Sequence, residues 1–358
     1  MQDDRHPDGR VAQLASGSTR SRASPSTSSN AGSHESTVQD DRARGRSAAH
    51  PLEVPARGWK DILFRVWKNI GEDRVIVVAA GVTFYSVLAL FPAIAALVAV
   101  YGFFADPTTI ASHLDGIAGF VPGGAIEVIR DQITRVASQG RATLGLTFLA
   151  GFAASLWSAN AGMKSLFDAL NLVYNEPEKR GFIWLNLISL IFTVLTITFA
   201  LLTMGAMVIV PIALIFVGLG GVTEIVIKIA RWPALLMVVT LALAVLYRYG
   251  PSREKPQWRW LTWGSAVAAI SWLIISILFS WYAENFGNYN KTYGSLGAII
   301  AFMFWIWLSI IVVLLGAELN AETEHQTARD TTTGRPKPLG SRGAKMADTV
   351  GAMQDSRP

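Results

Sequence analysis

The sequence predicts an all-α polytopic membrane protein with six transmembrane helices and amphipathic helices at the interfaces. Three observations predict it. Hydrophobic residues make up 51% of the 358 and charged residues only 16%, against about 25% charge in a soluble domain. Several charge-free runs, residues 182–221 the longest, exceed the roughly 20 residues that cross a bilayer core. Trp184, Trp232, Trp258, Trp260, Trp263 and Trp281 fall at the ends of such runs, the depth at which an aromatic belt forms. A β-barrel would show alternating segments of about ten residues instead. Cysteine is absent, which excludes disulfides, thiolate metal sites and cysteine nucleophiles.

Residues 1–56 are rich in Ser, Arg, Asp and Gly with few large apolar side chains. Such a segment cannot bury enough surface to offset its ordering entropy, so it reads as a disordered tail. The membrane domain covers 57–324. It begins with Trp59, Ile62, Leu63, Val66, Trp67 and Ile70 at helical spacing, with Lys60, Arg65 and Lys68 off that stripe. This is an amphipathic helix that lies on the membrane face or packs on the protein's own surface.

The first span covers about 75–104. Pro92 within it removes a backbone hydrogen bond and predicts a kink. A long polar loop comes next, whose second half (Ile126, Ile129, Ile133, Val136) reads as another amphipathic helix. The second span, about 142–167, carries small residues four apart, including Gly151 with Ser155, and Ala154 with Ser158 and Gly162. That pattern lets helix backbones approach closely and predicts a place in the middle of the bundle. The third span is about 182–210, with Pro211 opening a short apolar piece. Spans four to six cover about 231–249, 261–283 and 294–320, and Gly294 and Gly297 start the sixth as close-packing positions. Residues 325–358 are polar and read as a second disordered tail.

Six spans put both termini on one side of the membrane. Arg57, Lys60, Arg65, Lys68 and Arg74, Lys179 and Arg180, and Arg248, Arg253, Lys255 and Arg259 fall on that side. Arg130, Arg135, Arg141, Lys228, Arg231 and Lys291 fall on the other. The excess on the terminal side predicts that both tails are cytoplasmic.

Three stretches resemble one family: AAGVTFYSVLALFPAIAAL at 79–97, LWSANAGMKSLFDALNLVYN at 156–175, and NYNKTYGSLGAIIAFMFWIWLSIIVVLLGAELNAE at 288–322. Together they resemble the YihY / virulence factor BrkB family, over about 59–324. The resemblance implies a six-span inner-membrane protein and brings an older label, ribonuclease BN. The residues speak against that label. Metal-dependent RNA hydrolysis needs clustered His, Asp and Glu around activated water. The five histidines here are His6, His34, His50, His113 and His325, scattered over the first tail, a loop and the end of the last span. Neither a metal site nor a cofactor is expected, and no aromatic-plus-basic module for nucleic acid is evident.

Polar residues inside a bilayer tend to face the bundle interior or a wet cavity. Tyr85, Asn160 and Asn186 are candidates at depth. Asn171, Glu318 and Asn320 stand near the cytoplasmic face, with Lys164 and Asp168 as potential partners. Asn288, Tyr289, Lys291 and Tyr293 precede the sixth helix, whose N-terminal N–H groups favour anions. A phosphate or carboxylate headgroup fits there, as does a structural turn that satisfies its own backbone. Asn160 and Asn186 also fit a plain interhelical hydrogen bond, worth about 0.6 kcal/mol. The leading functional expectation is a transporter or channel-like protein, with the bilayer as its surroundings and a lipid or anionic small molecule as substrate. The alternative is a non-transporting envelope scaffold. An enzyme ranks last, because the spans hold no paired carboxylates or Ser–His arrangement.

Overall fold

The computed structural model describes residues 39–104, 141–217, 222–286 and 296–354. Contacts divide the chain after Asp40, and the helical bundle belongs to the unit from Asp41 on. After a 3-10 turn at Pro51–Glu53 come α1 (Ala56–Glu72), α2 (Val75–Phe104), α3 (Arg141–Val173), α4 (Phe182–Val217), α5 (Val222–Tyr249), α6 (Trp258–Phe286), α7 (Leu296–His325) and the single turn α8 (Lys345–Asp348).

Helices α2 to α7 coincide with the six hydrophobic segments, which a long charge-free run dictates where the backbone must satisfy its own hydrogen bonds. Four of them, α4 to α7, are long and apolar enough over the described residues to cross a membrane. A shorter apolar stretch, Val75–Ala89, begins α2. Large side chains such as Leu149, Phe152, Leu195, Val238, Ile277 and Phe304 face outward. That surface suits hydrocarbon and would be a liability in water. The helices outrun the expected spans. α4 continues through Pro211 to Val217, and α3 extends to Val173. The backbone of α2 remains helical through Pro92.

Helix α7 holds the bundle together, meeting α1, α2, α3, α6 and α8. The sequence points to α3 for this central role. In the structure α3 packs along α2 and also meets α4 and α7, while Ala154 on its small-residue row is exposed. The closest crossing is between α6 and α7. A Cβ on Gly264 would strike the Gly316 carbonyl, and one on Gly316 would lie 2.6 Å from both Ala268 Cβ and Tyr247 Oη. Farther along this antiparallel pair, Trp272 Nε1 donates to Ser309 Oγ and Trp305 Nε1 to Ser276 Oγ, each at 3.1 Å. Of the tryptophans assigned to the belt, Trp184, Trp232, Trp258, Trp263 and Trp281 are exposed, but Trp260 is buried.

The described parts of both tails, 39–56 and 325–354, depart from the disorder expected over 1–56 and 325–358. Residues 44–54 and 326–351 contain many buried positions. Ala48 and Val54 join Ile62 of α1 and Leu319 of α7 in one apolar cluster. Gln326 Nε2 donates to the Arg44 carbonyl at 2.8 Å, and Ala328 N to the Arg46 carbonyl at 2.8 Å. Beyond α7 the Arg342 guanidinium donates to the carbonyls of Ala328, Arg329, Lys337 and Ala347. One planar cation thus gathers four carbonyls of a segment whose apolar anchors are few, Ala344, Met346 and Ala347, which is why composition alone misreads it. The two tails meet at the same end of the bundle.

Candidate functional site

The polar chemistry of the described residues concentrates at that end, along the seam between α1 and α7. Asp61, Arg65, Asn69 and Asp73 recur every fourth residue, which sets them on one side of α1 and its cap. Glu318, Glu322 and Gln326 repeat the same spacing on and just past α7. The two rows run antiparallel and interlock. Arg65 Nε donates to Glu322 Oε2 in a short contact, and Arg65 Nη2 donates to Gln326 Oε1 at 2.8 Å. Asn69 Nδ2 donates to Glu322 Oε1 at 2.9 Å. At the outer end Arg44 Nη1 grips both oxygens of Asp61, at 3.0 and 2.9 Å.

The tails close this seam from outside. Arg65 Nη1 donates to the Ala352 carbonyl at 3.0 Å and Arg46 Nη2 to the Gly351 carbonyl at 2.6 Å. Gln354 N reaches Asp61 Oδ1 at 3.1 Å. A Cβ on Gly351 would lie 2.6 Å from Arg65 Cζ, so only glycine lets the chain lie flat over that guanidinium. Gly58 has the same role for the first tail, because a Cβ there would collide with the Arg44 carbonyl.

At the inner end Asp73 and Glu318 stand close enough to act on each other's charge. Glu318 is fully buried, and among the described residues its two oxygens and Asp73 Oδ2 lack an N–H or hydroxyl donor. Burial pushes the Asp73 carboxyl above its ordinary range, and the nearby Glu72 and Glu322 add to that, against a lowering contribution from Glu318 as hydrogen-bond partner. Asp73 is placed by a tight turn. Its N–H donates to the Asn69 carbonyl, and Arg74 takes a left-handed φ of 49° that redirects the chain into α2.

A second charged group lies beside the seam. Arg253 Nη1 is 2.7 Å from Glu324 Oε2, and its guanidinium stacks 4.3 Å over the Tyr174 ring. Thr331 donates its hydroxyl to Glu324 Oε1 in a short bond. Burial pushes the Tyr174 hydroxyl well above the usual phenol range.

The residues singled out in the sequence divide sharply. Asn320 is buried and accepts from Gly264 N at 2.8 Å, next to the Gly264–Gly316 crossing. Asn171 donates to Glu178 and accepts from Ser252 N, tying the α3–α4 and α5–α6 connections together. Lys164 meets Asn186 Oδ1 at 3.0 Å and the Trp157 ring; Glu318 faces Asp73. Tyr85 is partly exposed, and its Cβ stands 3.6 Å from where a Cβ on Gly162 would be. Asn160 is 8% exposed with no partner for Oδ1 among the described residues. Gly151 and Ser158 are half-buried, Gly297 is buried, and Ser155 Oγ donates to the Gly151 carbonyl at 2.6 Å. Asn288, Tyr289, Lys291, Tyr293 and Gly294 lie outside the described residues. No hydrogen bond joins Tyr85, Asn160 and Glu318 among the described residues.

Sequence reasoning misses Asp73, Glu322, Asn69 and Arg65 as members of the site. The signal is present as the four-residue repeat on α1. It is obscured because Arg65 reads as an outward charge beside an apolar stripe. In the structure Arg65 and Asp61 face inward, while Leu63, Phe64 and Trp67 (77% exposed) face out. Among the described residues no group of three or more His, Asp and Glu is arranged to hold a metal ion.

Comparison with known proteins finds relatives over most of the chain. The family model described as Virulence factor BrkB matches residues 66–339. A Bacillus subtilis protein named as ribonuclease-like, YfkH, is 34% identical over 266 residues, which cover 73% of this chain and 93% of that one. UPF0761 membrane proteins of Ralstonia nicotianae and Neisseria meningitidis are each 27% identical, over 71% and 73% of this chain. The matched part spans only 56% and 62% of those two relatives. No solved structure matches the chain.

Proposed function

The chain belongs to the virulence factor BrkB family, and within that family we propose that it is a transporter or channel-like protein for a lipid-like or anionic envelope component. The observation that carries this reading is Asn160. Its carboxamide is buried in a long helix, with Oδ1 unpartnered among the described residues. An unsatisfied amide there costs about 1–3 kcal/mol, a cost that a substrate path accounts for and a purely structural helix does not. The proposed setting is the bacterial inner membrane, crossed six times, with both tails cytoplasmic. Support comes from the tails meeting at one end, which requires an even number of crossings, and from the basic residues gathered there. The proposed partners are the bilayer and the transported amphiphile, with no role for nucleic acid.

The protein is proposed to act without catalysis. His325, the histidine closest to the carboxylates, has Thr349 Oγ1 at 3.0 Å and Glu322 at 3.5 Å, and both are structural partners. A scaffold is the second reading. It is favoured by Asn171, Asn320 and Lys164, whose polar groups are used in internal contacts.

Reconstituted protein decides between the two in liposomes that report lipid scrambling and the flux of small anions. The transport reading expects a flux or scrambling rate that falls several-fold in Asn160→Leu while the fold survives. Absence of any flux above empty liposomes would overturn it. The scaffold reading expects Lys291→Ala, Tyr293→Phe and Asn160→Leu to keep the cellular phenotype, and Ser158→Leu to abolish it.

A further inference from the structure

Three carboxyls crowd the inner end of the α1–α7 seam: Asp73, Glu318 and Glu322. Arg65 and Asn69 are committed to Glu322, with His325 beside it at 3.5 Å. Among the described residues nothing cationic is hydrogen-bonded to the other two. Asn69, Glu72 and Glu322 surround them from α1 and α7, and Tyr174 adds a neutral hydroxyl from the end of α3. Val75 and Ala79 of α2, Gly264 and Ala268 of α6 and Met346 of α8 add apolar or small groups against α7, and the further cation that reaches it, Arg253, is paired with Glu324 and stacked on Tyr174. Glu318 is fully buried and Asp73 half-buried, so two neighbouring carboxylates with no hydrogen-bonded counter-charge resist being ionised together. A single proton between them turns the repulsion into a charge-assisted hydrogen bond, with one oxygen donating and the other accepting.

We propose that Asp73 and Glu318 form a proton-binding site, in which one shared proton is the ligand that holds the start of α2 and the end of α1 against α7. The site is independent of whether the protein transports anything. Protonation binds the folded seam and not the unfolded chain, so it stabilises the fold by linkage. The sign comes from Asp73, whose carboxyl is raised in the folded state. Its contribution is complete below the unfolded carboxyl pKa of about 3.9 and is lost as pH rises toward the folded value. The seam is therefore tightest at the acid end of that window and loosens as pH rises through it.

The test uses the full chain in lipid nanodiscs. Infrared spectroscopy at neutral pH reads the carbonyl stretch of a protonated, buried carboxylic acid. The wild type should show such a band, and raising the pH should remove it while melting temperature falls. Glu318→Gln and Asp73→Asn supply an amide that donates in place of the proton. Each should fold, lose the band and show a melting temperature with a shallower dependence on pH. A wild type without a protonated-acid band at neutral pH would overturn the proposal, and that reading needs no variant. A band that persists unchanged in both variants would overturn it equally, because the proton would then reside elsewhere.

Discussion

Glu322 receives Arg65, Asn69 and His325 at once, so its removal should be the most damaging single truncation at the seam. Glu322→Ala leaves the Arg65 guanidinium buried against carbonyls and an amide, and stripping one partner from a buried pair costs about 3–5 kcal/mol. Glu322→Gln retains an acceptor for Asn69 and should cost clearly less, as read by equilibrium unfolding in mixed micelles. Glu178 gives a second residue-scale prediction, outside the helices. Burial pushes its carboxyl up, but Arg180, through side chain and backbone, and the Asn171 amide outweigh that and hold it at about 2. A depressed carboxyl contributes stability above its unfolded pKa of about 4.3, and loses it as pH falls toward the folded value. Acidification over that window should destabilise the wild type more than Glu178→Gln. Glu318 and Asn320 were legible from sequence because a carboxylate and an amide stand out at the end of an apolar run. Their partners were not. Asp73 and Gly264 lie 245 and 56 residues away along the chain, and a single sequence carries no signal for such pairings.

At the scale of elements, α1 shows how a periodicity can locate a helix and still leave open which side faces the protein. The spacing of Trp59, Ile62, Leu63, Val66, Trp67 and Ile70 identifies a helix, and the structure supplies it. Only Ile62 of that stripe is fully buried, while Asp61 and Arg65 turn toward α7. The charged residues anchor the helix to the protein and leave Leu63, Phe64 and Trp67 outward, an arrangement suited to the boundary of a bilayer. The α6–α7 crossing offers the sharpest element-scale prediction. Gly264, Ser265, Ala268 and Ala269 are all buried, a small-residue row comparable to the one recognised on α3. Gly264→Val would force the helices apart at the Gly316 carbonyl and disturb the Asn320 bond. Overpacking of this kind costs about 1–3 kcal/mol, and a lower melting temperature in detergent checks it. Gly181→Val, where a Cβ would meet open space, is the control expected to leave it nearly unchanged.

For the whole molecule, hydropathy was enough to locate the six long helices, four of them long and apolar enough over the described residues to cross a membrane, because long apolar runs form helices whatever their neighbours. The closure of the polar end was invisible to the same reasoning. Residues 326–351 are held by hydrogen bonds from Arg342, Arg46 and Arg65 to backbone carbonyls, and a Thr-, Gly- and Arg-rich composition looks the same whether such bonds form or not. The central claim is that both tails and α1 close on the end of α7 as one unit. Hydrogen exchange on the full chain in nanodiscs, monitored by mass spectrometry, tests it most directly. The account predicts that the amides of Ala328, Ala347, Asp348 and Gly351, each donating to a carbonyl, exchange far more slowly than an unstructured chain, and that Glu322→Ala speeds them together with those of α1. Exchange of residues 326–351 at the rate of a free peptide in the wild type would contradict it.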